Sequence, residues 1–179
     1  MVSEQISYEE LQEQLLAMEP LRDRALLCLT YAVLGRVGEV VRARYDHNNT
    51  PIRKEQLELI DTHLIVHLLT EKRKQERRVP INRTKEAWLI EPILAYAELV
   101  DGELFPYSTR WAENIFLKNF GTHNIHMLRH WRITHLLNGS ATGKRLRTKI
   151  VAKMAGHGDT RTIERVYDHT VIEDYLDEI

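Results

Sequence analysis

The sequence predicts an α+β fold, mainly helical, with one small antiparallel sheet. Apolar residues recur at helical spacing through most of the chain. Strand-like runs are confined to residues 56–81. Most helical runs are bounded by a capping or breaking residue. At 179 residues and 43% hydrophobic, the chain suits one domain with a substantial core, spanning 1–179. No internal repeat, low-complexity tract or long linker interrupts it.

Ser7-Tyr8-Glu9-Glu10 is a capping box, so a short helix runs to about Met18 and stops before Pro20. Pro20 suits the first turn of a second helix, 21–34, whose Leu21, Ala25, Leu26, Leu29, Ala32 and Val33 keep core spacing. Gly35 breaks it, and Arg36–Val41 begins another. Asn48–Pro51 is a turn. Residues 56–60, 63–70 and 77–81 read as strands, the last two joined by a polar hairpin tip carrying Lys72, Arg73 and Lys74. Thr84 caps a helix to about Leu99, ended by Asp101-Gly102. Ser108 caps another to about Phe120, ended by Gly121. The next helix covers 126–137 and stops near Asn138-Gly139. A basic stretch, 143–149, leads into a helix over 150–155, then Gly156-His157-Gly158, a last helix containing Tyr167, and an acidic tail.

The apolar runs are too short to span a bilayer, and no signal-peptide pattern opens the chain. Cys28, the single cysteine, sits in an apolar run as a core thiol, so no disulfide forms within one chain and a cytosolic compartment fits. The net charge of −1 hides a segregation. Residues 1–20 hold five acids and no Lys or Arg, and 164–179 hold six acids and one Arg. The intervening body therefore has 24 bases against 15 acids, a surplus that suits a polyanion.

Chemistry concentrates in His126–Leu137. As a helix it groups Leu128, Trp131 and Leu136 on an apolar face and aligns His126, Arg129 and Arg132 on another stripe. An imidazole beside a guanidinium holds an anion, and the planar two-pronged guanidinium fits phosphate best. Arg36 projects from a helix start, with Glu39 one turn on to brace it. The histidines 123, 126, 130 and 135 also admit a metal reading, but no Glu lies between His126 and His130 and there is no cysteine pair.

Taken together, these motifs resemble the catalytic domain of the tyrosine recombinases, the phage-integrase family. Leu34-Gly35-Arg36-Val37-Gly38-Glu39-Val40 is similar to the family's first arginine box. Residues 70–81 are similar to its β-hairpin, with a lysine at the tip and then Arg, an apolar residue, Pro and an apolar residue. His126-Met127-Leu128-Arg129-His130 matches its His-x-Leu-Arg-His box, and Ala155-Gly156-His157 its Leu-Gly-His box, with a tyrosine about three helical turns beyond. The resemblance runs from about residue 5 to the end.

The resemblance implies metal-independent DNA cleavage and rejoining through a 3′-phosphotyrosine, as in recombination or integration by a virus or mobile element. Arg36 and Arg129 then clamp the scissile phosphate, with Glu39 in support. His157 adds a hydrogen bond, Lys72 protonates the leaving 5′-oxygen, His126 assists the phenol, and Tyr167 is the nucleophile. Lys74 is the runner-up for the lysine and Tyr175 for the tyrosine. Arg73, Lys74, Lys144, Arg145 and Arg147 are expected DNA contacts. No metal or nucleotide cofactor is called for. The partner is double-stranded DNA, with a homotetramer assembling on it and a monomer allowed in isolation. The expected locale is the cytoplasm, or a host's nucleoid. The family's N-terminal core-binding domain is not represented in the chain, and the tail, 168–179, is expected to dock on a neighbouring protomer.

Some features depart from the family pattern. The Gly–apolar order before the first arginine is reversed as Leu34-Gly35, and Gly38 stands where serine is frequent. The spacing from His157 to Tyr167 is one residue longer than usual, which places the tyrosine on a shifted turn or brings it from a neighbouring protomer. The competing readings are a DNA-binding module of the same fold with little cleavage, and a metal-dependent phosphodiesterase built on the histidines.

Overall fold

The computed structural model describes residues 5–42, 51–69 and 76–156. The helices are α1 Tyr8–Leu16, α2 Leu21–Ala32, α3 Val37–Val40, α4 Ala87–Leu99, α5 Thr109–Phe120, α6 Met127–Leu137 and α7 Thr148–Ala155. The strands are β1 Leu57–Leu59, β2 His63–Leu69 and β3 Glu76–Asn82, preceded by a short 3-10 turn at Lys54–Gln56. The α+β expectation therefore stands, with element ends shifted by a few residues.

Helix α2 is the axis of the core. Every residue from Ala25 to Ala32 is buried, and α1, α3, α4, α5 and α6 pack around it. Fully burying each of Leu26, Leu27 and Leu29 contributes about 1.5–3 kcal/mol. The capping box at α1 forms as expected: the Ser7 hydroxyl accepts from the Glu10 amide at 3.1 Å, and the Ser7 amide donates to the Glu10 carboxylate at 3.2 Å. Ser108 caps α5, accepting from the Trp111 amide, and Gly121 ends that helix at φ 77°.

Two helix starts lie two or more residues from the expected positions. Helix α4 begins at Ala87, not near Thr84, because the Asn82 side chain accepts from the amides of Thr84 and Lys85 and holds them in a turn. Helix α7 starts two residues earlier than expected, with Arg147 as its N-cap.

The sheet is antiparallel in the order β1-β2-β3. Leu64, Val66 and Leu68 of β2 face the core opposite Ile81, Val79 and Arg77 of β3. Pro80 lies on β3, which is an edge strand, where the missing donor costs no ladder bond. So one charged residue, Arg77, occupies the apolar face of the sheet, near the start of β3.

Candidate phosphate-binding site

The turn between α2 and α3 forms one wall of the site. The amide of Gly35 donates to the carbonyl of Thr30 at 2.9 Å, closing α2. Leu34 is the left-handed residue of that turn, at φ 52°. A left-handed non-glycine costs on the order of 1 kcal/mol. The reversed Leu34-Gly35 order thus places a leucine where glycine would be unstrained, held there by its wholly buried side chain. Arg36 follows as the half-buried N-cap of α3.

Glu39 does brace this turn, but through the backbone. Its carboxylate accepts from the Arg36 amide at 2.8 Å. Its ion pair is with Arg77, through Nε at 3.2 Å and Nη2 at 3.0 Å. Arg77 also donates to the carbonyls of Val33 and Met154. Sequence reasoning passed over Arg77. The signal was present, since strand alternation puts it on the face of Val79 and Ile81, where an arginine needs a partner.

Helix α6 forms the second wall. Arg129 is 3% exposed and donates to the carbonyls of Leu34 and Ala155. Burial, then the nearby Arg77 and Arg36, lower its pKa to about 10, against a pull from Glu39, so it remains a cation at neutral pH. His126 caps α6 one turn before Arg129, and its ring meets that of His130 edge-on at 5.0 Å. Partial burial first, then His130, Arg129 and Arg36, hold the His126 imidazole below its ordinary value. His126 keeps a solvent-exposed side, so water screens part of the effect; the imidazole is neutral at pH 7.

Arg36, Arg129 and His126 therefore share one electrostatic neighbourhood, joined by Arg77 and by one buried carboxylate, Glu39. Three guanidiniums against one carboxylate is a costly concentration of like charge, and it favours an anion.

Arg132 does not belong with them. It is 1% exposed and forms a two-pronged pair with Glu86, at 2.6 and 2.7 Å, with its guanidinium 5.0 Å from the centre of the Tyr31 ring. The stripe of His126, Arg129 and Arg132 is corrected on this point: six positions along a helix is a rotation of about 600°, so Arg132 points toward α2 and α4. His135 is likewise structural. Its two ring nitrogens meet the Tyr31 hydroxyl and the Ile6 carbonyl, each at 2.7 Å. Among the described residues, no group of three or more His, Cys, Asp or Glu is arranged to hold a metal ion. Burial pushes the Cys28 thiol up to about 12, which suits a core residue.

Lys144, Arg145 and Arg147 are exposed on the loop before α7. That loop is tied to α6 by the Leu146 amide, which donates to the Leu136 carbonyl at 3.0 Å. Gly139, at φ 83°, lets it close, since a Cβ there would lie 3.0 Å from the Arg145 nitrogen. Helix α7 ends at Gly156, at φ 76°, just before His157. Lys72, Arg73, Lys74, His157, Tyr167, Tyr175 and the tail 168–179 lie outside the described residues.

No protein-family model matches the chain, and no curated protein does. Solved structures do. The XerH site-specific recombinase bound to its difH substrate matches with a TM-score of 0.62 at 19% identity, over 99% of this chain and 53% of that one. A lambda integrase tetramer bound to a Holliday junction matches at 0.59 and 14%, over 94% and 49%. The Tn1549 transposon integrase bound to transposon right-end DNA matches at 0.63 and 12%, over 97% and 64%. The chain thus spans roughly half to two-thirds of the length of these proteins. The shared architecture is the catalytic-domain fold of the tyrosine recombinases. Among the described residues, no helix is long and apolar enough to cross a membrane.

Proposed function

We propose that this chain, which has the tyrosine recombinase catalytic fold, is the catalytic unit of a site-specific DNA recombinase or integrase. The observation that carries the reading is that Arg36, Arg129 and His126 share one cation-rich neighbourhood between the α2–α3 turn and α6, with Glu39 beside the two arginines. A DNA phosphodiester is the anion with both the charge and the reactivity to use it.

In this reading Arg36 and Arg129 hold the non-bridging oxygens of the scissile phosphate, where negative charge grows in the transition state. Glu39 orients the Arg36 turn, and His157 adds a hydrogen bond. The Tyr167 phenolic oxygen attacks phosphorus, and its proton passes to His126, which is free to accept because it is neutral. The P–O5′ bond breaks, and the departing oxygen takes a proton from Lys72. The products are a 3′-phosphotyrosine and a 5′-hydroxyl, and the bond energy kept in the phosphotyrosine drives rejoining. The chemistry needs no metal or nucleotide. Arg73, Lys74, Lys144, Arg145 and Arg147 grip flanking phosphates. Four protomers assemble on double-stranded DNA, with the segment 168–179 passing between neighbours, inside the compartment that holds the DNA.

The test uses a pool of nicked duplexes of randomised sequence, incubated with the chain in EDTA. The expected result is a detergent-resistant protein–DNA adduct, enriched for one sequence and lost in Tyr167→Phe. An adduct that survives the substitution removes Tyr167 from its role. Binding with no adduct reduces the protein to a DNA-binding module, and cleavage that requires added metal favours a phosphodiesterase.

A further inference from the structure

We infer that Arg77 is a positioning residue for this cleavage: it fixes the Arg36 turn against the end of α7, from which the chain continues to His157. The inference rests on the strand-cleavage reading above. Arg77 and Arg129 act as two neighbouring crossties between the same two backbone segments. Arg77 takes the carbonyls of Val33 and Met154, and Arg129 takes the next carbonyl in each, those of Leu34 and Ala155. Arg77 also pairs with both oxygens of Glu39, one of which receives the Arg36 amide. One guanidinium thus links β3, the α2–α3 turn, α3 and α7.

Stability alone does not ask for this. Position 77 lies on the apolar face of the sheet, opposite Leu68, and the guanidinium there adds to the charge around Arg129. An apolar side chain would match Val79 and Ile81 without burying a charge. What an arginine supplies is a planar fork that meets Glu39 and two carbonyls at once, which a lysine cannot do. Its place beside Arg36 and Arg129, together with its bond to the last turn of α7, makes it the mechanical link between the two walls of the site and the end of α7.

The test compares Arg77→Lys with wild type on the duplex recovered from the randomised pool, in single turnover. Ile93→Ala in α4 serves as a control that loses at least as much thermal stability. Arg77→Lys is expected to form adduct about 100-fold more slowly, the scale of a small misplacement of reacting groups, with DNA affinity within threefold of wild type and the control cleaving normally. Glu39→Gln should slow cleavage likewise, and the double variant should be no slower than the worse single. Amide exchange at Arg36 should quicken at least tenfold in Arg77→Lys, while that at Leu29 stays unchanged. A substrate with sulfur at the bridging 5′ position, whose thiolate leaves without a proton, should not rescue the variant.

Wild-type rates in Arg77→Lys, or an equal loss in the control, overturn the assignment. Rescue by the sulfur substrate also overturns it, by moving the effect to the Lys72 hairpin. If Arg77→Lys does not fold, Glu39→Gln carries the same comparisons, and normal cleavage there overturns the inference. A wild-type chain that forms no adduct removes the strand-cleavage reading itself, and this inference with it.

Discussion

His126 shows how much of a site is decided by neighbours. Read from sequence, it is an imidazole near neutral pKa; in the fold, partial burial and the cations around it favour the uncharged form. Its titration, followed by NMR of the ring protons, should fall well below the ordinary 6.5; a midpoint at or above 6.5 would contradict the site as described. His130 and His135 are lowered as well, both chiefly by burial. A depressed folded-state value means the unfolded chain binds more protons, so this stability is complete above about 6.5 and is lost as pH falls. His67, raised by Glu58 and Glu76, works in the opposite sense, since its contribution is present at low pH and lost as pH rises. With three groups against one, acidification below about pH 6.5 should lower the urea midpoint.

Single positions stand out in sequence where a motif marks them, as with Arg36 and Arg129, which the fold brings into one neighbourhood. They were not legible where partners lie far apart along the chain. Nothing near Arg77 announces Glu39, and nothing near Arg132 announces Glu86.

At the scale of the element, α6 is held by that second pair. Arg132 and Glu86 are each about 1% exposed, and the Tyr8 hydroxyl also donates to Glu86 at 3.0 Å. Trp88 Nε1 in turn donates to the Tyr8 hydroxyl. The network joins α1, α4 and α6 beneath the helix that presents Arg129. Replacing one partner alone, as in Glu86→Gln, leaves a buried charge without its counter-charge and should cost about 3–5 kcal/mol. Replacing both with apolar residues should cost far less. Urea unfolding of the singles and the double checks this; additive losses would mean that the pair is not coupled.

The elements themselves were largely readable. Ser7 and Ser108 cap as their sequence signatures predict, and β2 and β3 form where strands were expected. What was missed at α4 and α6 comes from competition: Asn82 captures the amides that Thr84 was expected to open, and the rotation of α6 turns Arg132 inward.

For the molecule as a whole, the charge segregation separates a basic body from acidic ends. In the proposed function that body lies on DNA, and the exposed loop with Lys144, Arg145 and Arg147 is part of the contact. Replacing the three with glutamine should weaken binding alike on all sequences and flatten the dependence of log affinity on log salt by about 2.7, at roughly 0.9 per phosphate contact. An unchanged slope would remove the loop from the interface. The likeness to XerH, lambda integrase and the Tn1549 integrase lies in the fold, at 12–19% identity, so the chemistry of this chain has to be argued from its own residues.

The most direct test of the central claim asks whether the guanidiniums meet phosphate charge. Adduct formation by wild type and by Arg129→Ala should be compared on the ordinary duplex and on one with a neutral methylphosphonate at the cleaved position. On the phosphodiester the variant should be slower by about 10²–10³, the scale of losing one transition-state donor. On the uncharged linkage most of that difference should disappear. An equal loss on both substrates would mean that Arg129 supports the backbone at Leu34 and Ala155 and does not hold the phosphate.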